Sequence, residues 1–467
     1  MKHTTFLHAF QSTVLALVCT TTLHAQWQPY TPNLSDTVGT FDLRIAPDND
    51  QVAWSIAMKY EVLADGYNPL YIDSIYYTRT ADGGTTWSGG TVPMGIAPFA
   101  SNISPISATT AWASGTDVDY VSYVLRTDDG GTTWTRQLED GFTGPTSYIN
   151  FVYFWDAQQG IAVGDPAAST TDSVPFYEIY TTSDGGQQWE RIPSSNIPAA
   201  DNEYGYTSLY RVADDYIWFG TANATTGENK GLFRSKDRGQ HWEALALPTD
   251  LAGLFSFADT LHGITRHWTG TNYKLGYTED GGTTWQYQPD LPGTDFFSSF
   301  VLIPESYYIL AVRTPDFITG PYRTSLSKDL GESWIELGTG ENAGAARFSS
   351  PTVGYAGEWQ STSHATRMYK YAGSPLVGLF SGQALDARIT LGPNPVADVL
   401  QVQIEVATPM EFVILLHDMQ GRLIERKNLN ETMQGNAQFD LKRLPAGSYT
   451  LTISTSHGHS TRTIVKP

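Results

Sequence analysis

Thr80-Ala-Asp82-Gly-Gly84-Thr-Thr-Trp87 is the first of six variants of one pattern in this chain of 467 residues. The others are Thr127-Asp-Asp129-Gly-Gly131-Thr-Thr-Trp134, Thr182-Ser-Asp184-Gly-Gly186-Gln-Gln-Trp189, Ser235-Lys-Asp237-Arg-Gly239-Gln-His-Trp242, Thr278-Glu-Asp280-Gly-Gly282-Thr-Thr-Trp285 and Ser327-Lys-Asp329-Leu-Gly331-Glu-Ser-Trp334. Successive aspartates lie 47, 55, 53, 43 and 49 residues apart. A period of that size belongs to repeat architectures. Each copy reads as a hairpin tip. The Asp is expected to accept backbone N–H groups two residues on, the Gly to supply a positive φ, and the Trp to begin the returning strand and bury between neighbouring sheets. Six aligned carboxylates invite a metal or catalytic reading. The turn accounts for every one of them, so these Asp and Trp residues are assigned to structure.

The text between the tips repeats as well. Phe151-Val-Tyr-Phe-Trp-Asp156 followed by Gly160-Ile-Ala-Val-Gly164, and Leu254-Phe-Ser-Phe-Ala-Asp259 followed by Gly263-Ile264, read as a strand, a short corner and a second strand. One period then holds four antiparallel strands, the size of a propeller blade. Such units begin near residues 40, 101, 149, 207, 253, 298 and 345, which gives seven. The last has no tip of its own. Trp27-Gln-Pro-Tyr30 reads like the strand after a tip and is expected to complete that blade and close the ring. The six tips resemble the Asp-box (bacterial neuraminidase repeat) of sialidase-like β-propellers. The wording around Phe151–Trp189 is most similar to the seven-bladed photosystem II assembly-factor family, over residues 26 to 373. That resemblance implies fold far more than activity.

The two ends are different in kind. Residues 1–25 carry Lys2, the apolar run Ser12–Val18 and the ending Leu23-His-Ala25, as a secretory signal peptide does. Cys19 raises a lipoprotein leader as an alternative, against which Val18 is large for the position before it. Cleavage after Ala25 leaves a mature chain without cysteine or a transmembrane segment. Residues 374–387 read as a linker, and 388–467 as a small immunoglobulin-like β-sandwich. That last stretch opens Leu391-Gly-Pro-Asn-Pro395, continues through Asp418-Met-Gln-Gly-Arg422 and Pro445-Ala-Gly-Ser-Tyr449, and ends near Lys466. It resembles the type A C-terminal sorting domain of the Bacteroidetes type IX secretion system. The resemblance implies that secretion machinery as partner, passage through the periplasm, and an extracellular or outer-membrane surface location.

The formal charge is −20 and lies in the body of the chain. From Arg388 onward there are 8 Lys/Arg against 7 Asp/Glu, which leaves 19 against 41 for residues 26–387. An acidic body repels phosphate backbones, so nucleic acid is not an expected partner. No metal-ligand spacing, nucleophile elbow or phosphate loop is present, and no catalytic residue, metal or cofactor is assigned.

Two sets of candidate ligand residues remain. Arg44, Arg211 and Arg347 hold equivalent first-strand positions in blades one, four and seven, where they either converge on an anion or pair with acids between blades. The loops opposite the Asp-box tips include the segments Tyr60–Tyr71 and Gly164–Tyr177 and carry Tyr204, Tyr206, Trp268 and Trp359. Aromatic loops on a rigid scaffold suit a carbohydrate or a surface protein. The leading expectation is a non-enzymatic binding or scaffold propeller. A glycoside hydrolase, sialidase-like or xyloglucanase-like, is the alternative, with Asp165, Asp201 and Glu203 as loop acids. A protein assembly factor, by resemblance to the photosystem II propellers, is the third.

Overall fold

The computed structural model describes residues 26–467 apart from 35–37, 59–60, 64–65, 69–74, 96–98, 143–146, 168–173, 248–253, 269–272, 288–295, 305, 307, 315–321, 332, 341, 359–365, 374–375, 377–384, 386, 419–422 and 456–457. The expected leader, Trp359 and most of the expected linker lie outside the described residues.

Seven four-stranded antiparallel sheets follow one another along the chain. Their innermost strands are Gly39–Ala46, Phe99–Pro105, Ile149–Phe154, Glu203–Ala213, Leu254–Phe257, Phe296–Leu302 and Ala345–Ser350. Each packs on the next, and the seventh packs back on the first, so the sheets form a ring. The seventh sheet takes its outer strand from the other end of the chain. Trp27–Tyr30 pairs with Met368–Tyr371, with Trp27 opposite Tyr371 and Tyr30 opposite Met368. The seven-bladed count and the closing strand both match the sequence.

The Asp-box tips are built differently from the expected two-residue turn. In all six the Thr or Ser at the first position accepts the N–H of the second Gly position, as Gly84 N to Thr80 Oγ1 at 2.9 Å. That hydroxyl serves the near amide. The carboxylate therefore reaches further, to the N–H four residues on, as Thr86 N to Asp82 Oδ1 at 2.9 Å. These bonds to the ionised form hold Asp129 down at about 2. Four tips also donate a backbone N–H to the turn between the first two strands of their own blade, as Gly185 N to Gln158 O at 2.9 Å, and Gly83 N donates to Gln51 O just beyond that turn. Both kinds of turn thus share one face of the ring.

Third-strand arginines, not singled out in the sequence, tie blade to blade. Arg79, Arg126 and Arg234 donate to carbonyls of the following blade, Ala108, Gly185 and Gly281, at 2.5, 2.7 and 2.8 Å. Buried second-strand Trp54, Trp112 and Trp218 fill the gaps between sheets, and Trp112 and Trp218 stack on Phe154 and Phe257 of the next blade.

Beyond the ring, five strands (Arg388–Gly392, Val399–Asp418, Leu423–Asp440, Gly447–Thr455 and Gly458–Lys466) form one hydrogen-bonded sheet. The two long strands carry bulges between Glu405 and Phe412. Leu400, Val402 and Ile404 before the bulges share a single core with Phe412, Ile414 and Leu416 after them, as a small sandwich requires.

Candidate ligand-binding face

Strand ends opposite the tips frame the mouth of the ring, and blade four departs there from the regular pattern. In its innermost strand Gly205 pairs with Thr221 and Tyr210 with Phe219, so Tyr206–Leu209 stands against the single residue Gly220. The extra residues form a wide bulge, with Ser208 at φ 63°. The bulge reaches the first blade, where Arg44 donates to the Ser208 carbonyl at 3.1 Å and lies 3.9 Å over the Tyr210 ring. Blade four thereby meets blade one across the channel.

The three arginines do come together, around one acid. Asp42, fully buried, binds Arg44 at 2.9 Å and Arg347 at 3.5 Å. Arg211 pairs with no acid among the described residues. Its guanidinium donates to the Tyr210 carbonyl at 2.7 Å and lies 5.8 Å from the Phe255 ring. Burial opposes the charge on Arg44, but Asp42 together with Tyr210 and Tyr153 more than offsets it and the pKa is raised. Burial, then the neighbouring arginines, holds Arg211 well below its ordinary value and brings Arg347 down to about 10. Pairing with an acid of another blade thus holds for Arg347 alone, since Arg44 pairs with Asp42 of its own strand and Arg211 with no acid among the described residues. A cavity of about 390 Å³ opens onto Arg211, Arg266 and Arg347.

Beside this throat lies a larger bowl of about 610 Å³, over blades one to four. Its aromatic walls come as three edge-to-face pairs: Phe41 with Phe99 at 5.6 Å, Tyr120 with Tyr148 at 5.6 Å, and Tyr204 with Tyr206 at 5.8 Å. Phe99 and Tyr120 are 46% and 63% exposed, so the rim is open to solvent. Phe41, Tyr206 and Thr207 separate bowl from throat and line both.

Two carboxylates line the bowl. Asp117 is spent locally: Oδ1 accepts the N–H groups of Asp119 and Val121 at 3.0 and 2.9 Å, and Oδ2 accepts the Tyr123 hydroxyl at 2.9 Å. Asp165 Oδ1 accepts Asn150 Nδ2 and Gly205 N, both at 2.8 Å, while no donor among the described residues reaches Oδ2. Burial pushes the Asp165 carboxyl up to about 6, against the pull of those two hydrogen bonds.

Of the loop residues expected from sequence, Tyr204, Tyr206 and Asp165 enter this bowl. Glu203 does not line it and lies 3.7 Å from Lys230, and Asp201 is exposed outside it. Trp268 ends the second strand of blade five, opposite Tyr273. The segment after Tyr60 contains a short hairpin, Glu61–Leu63 with Gly66–Asn68. Phe41, Phe99, Asp117, Tyr120 and Tyr148 were missed, although Asp117 and Tyr120 sit in the same hairpin position as the loops that were read. A further cavity of about 360 Å³ between the tips of blades three and four holds Asp184 and Asp237, both used by their own turns.

Two comparisons with known proteins return matches, one to a family and one to solved structures. Residues 391–467 match the family described as secretion system C-terminal sorting domain. No curated protein matches the chain. Among solved structures, YCF48 bound to D1 peptide is 16% identical, covers 75% of this chain and 98% of its own, and superposes with a TM-score of 0.50. YCF48 from Cyanidioschyzon merolae is 17% identical over 74% and 98%, with a TM-score of 0.48. The GH74 xyloglucanase from Xanthomonas campestris is 11% identical over 81% of this chain and 59% of its own, with a TM-score of 0.45. At such identities a likeness concerns fold alone. The chain is a β-propeller with a type IX sorting tail, and that tail indicates secretion to the cell surface or the extracellular space. No helix among the described residues is long and apolar enough to cross a membrane.

Proposed function

We propose that this protein is a binding propeller, carried outward by its sorting tail, whose ligand face is the mouth opposite the Asp-box tips. The observation that carries this is the bowl itself: an open aromatic cavity of about 610 Å³ on a closed ring, with one uncommitted carboxylate oxygen, Asp165 Oδ2. Concave, largely apolar sites with a few placed polar groups are where ligands bind. The rings offer stacking area to a sugar or to side chains of a surface protein. Arg211 and Arg347 extend the site into the throat, while Arg44 is held by Asp42 and Ser208 as a fixed wall. YCF48, solved with a bound D1 peptide, is a precedent for a protein ligand on such a scaffold.

Hydrolysis is the second reading, favoured by the Asp165 carboxyl at about 6, which suits a proton donor. Glycosidases use two carboxyl groups across the scissile bond. The other acid of the bowl, Asp117, has both oxygens engaged, and that favours binding over cleavage. The test incubates the purified chain with sialylated, plant and bacterial glycans and with surface proteins, and records both retained ligand and released sugar. Retention without release is expected, with retention reduced at least tenfold by Tyr206→Ala. Release abolished by Asp165→Asn would establish the hydrolase instead.

A further inference from the structure

The bowl and the throat share a ridge at Phe41, Tyr206 and Thr207, yet they are opposite in charge. At the throat Arg44, Arg211 and Arg347 gather around Asp42, the one carboxylate among the described residues there. Among the described residues the bowl is lined by Asp117 and Asp165 and by no Lys, Arg or His. Asp165 is largely withdrawn from water, and neither of its two hydrogen-bond donors, Asn150 and Gly205, is a cation. Its second oxygen has no donor among the described residues. A half-buried carboxylate with no counter-charge among the described residues is unfavourable, and here the missing charge has a place to sit.

We infer that the bowl takes an organic cation, an ammonium or guanidinium group of the ligand, held between the paired aromatic rings with Asp165 as its counter-ion. This rests on the mouth being the ligand face and states the chemistry of that face. The rings have negative π-faces and positive edges, and six of them line this one open bowl. A cation within reach of such faces is attracted by their quadrupoles, more strongly when it is desolvated. A neutral sugar gains the stacking but leaves Asp165 without a partner charge. The acidic body of the chain, 41 Asp/Glu against 19 Lys/Arg over residues 26–387, steers cations toward it and repels anions. The throat guanidiniums do not satisfy Asp165, because Arg44 and Arg347 are bound to Asp42 and Arg211 to the Tyr210 carbonyl.

The test uses the purified full chain and two probes of nearly equal shape, choline and its neutral isostere 3,3-dimethylbutan-1-ol, titrated by calorimetry and by saturation-transfer NMR. Choline is expected to bind at least tenfold more tightly than the isostere. Asp165→Asn, which keeps an oxygen for Asn150 and Gly205, is expected to lower choline affinity about tenfold and to leave the isostere unchanged. Tyr206→Ala is expected to weaken both. Melting of Asp165→Asn no lower than that of the parent separates loss of the charge from loss of the fold. Equal binding of the two probes, or choline binding indifferent to both substitutions, would overturn the cation assignment. If neutral glycans are retained while choline is not, the assignment fails and the ligand face stands. If the intact chain retains neither probe, glycan nor surface protein, the ligand face fails with it.

Discussion

At the scale of single residues, the acids of this protein divide by what they are bonded to. Asp129 has its carboxylate wrapped by Thr127 and by the amide and hydroxyl of Thr133, so it stays ionised in the fold. Among the described residues Asp165 has two donors on one oxygen and none on the other, in a bowl with no basic side chain, and burial favours its neutral form up to about pH 6. An unfolded Asp titrates near 4. Between roughly pH 4 and pH 6 the folded chain therefore binds more protons at this site than the unfolded chain. Its stability contribution falls as pH rises through that window and is flat above it. Asp165→Asn removes the titration while preserving the acceptor for Asn150 and Gly205. The variant should match the parent near pH 4 and melt higher at pH 8, with a gain of at most about 3 kcal/mol. Melting curves at the two pH values decide this, and an equal or lower melting temperature at pH 8 would show that the carboxylate is not held in an unfavourable state. The same residue shows the limit of sequence reading. Asp165 could be picked out as a loop acid, but not ranked above Asp201 or Glu203. What distinguishes it is enclosure by residues from blades one, two and four, a property without spacing or motif.

At the scale of elements, the ring depends on a four-residue strand at the start of the described chain. Trp27 is 1% exposed and meets Phe348 and Tyr371 edge-to-face at 5.9 and 5.6 Å. It forms a common core with Leu310 and Val312 of blade six, so it joins the last two blades as well as completing one. Removing a buried aromatic of this size costs about 3–5 kcal/mol. Trp27→Ala should therefore lower the melting temperature by roughly 10 °C, and Trp27→Phe by much less. A change within a degree or two for Trp27→Ala would mean that the ring is held without this strand. The closure was legible because the last unit lacked a tip and an orphan strand stood at the other end, and only one pairing satisfies both. The blade-four bulge was not legible. Tyr206–Leu209 continues a strand-like sequence, and the extra residues are accommodated only because the channel offers Arg44 as a donor to the Ser208 carbonyl.

At the scale of the whole molecule, the sorting tail lies against the tip face and leaves the mouth clear. Val413 and Leu415, on the face of their strand opposite the tail core, are covered by Leu261 from the first turn of blade five. Arg426 pairs with Asp214 in the corresponding turn of blade four at 3.0 Å, and Asn428 donates to the same carboxylate. A partly exposed ion pair contributes about 1 kcal/mol or less, so the buried leucine and valine contacts supply most of the hold. This contact explains a feature of the sequence that a sorting signal alone does not: the run Val413-Ile-Leu-Leu416 is apolar on both faces of its strand, as in strands covered on both sides. Two consequences can be measured on the intact chain. Cysteines introduced together by Asp214→Cys and Asn428→Cys should be bridged by a short bis-maleimide, and the bridge should leave ligand retention at the mouth unchanged. Leu415→Asp places a charge in the covered contact and should reduce bridging severalfold, since burying an unpaired carboxylate is strongly unfavourable. Failure to bridge in the parent background would mean that the tail does not rest on the tip face in solution. Bridging that blocks retention would instead place the ligand on the same side as the tail, against the strand ends that carry Tyr204, Tyr206 and Asp165.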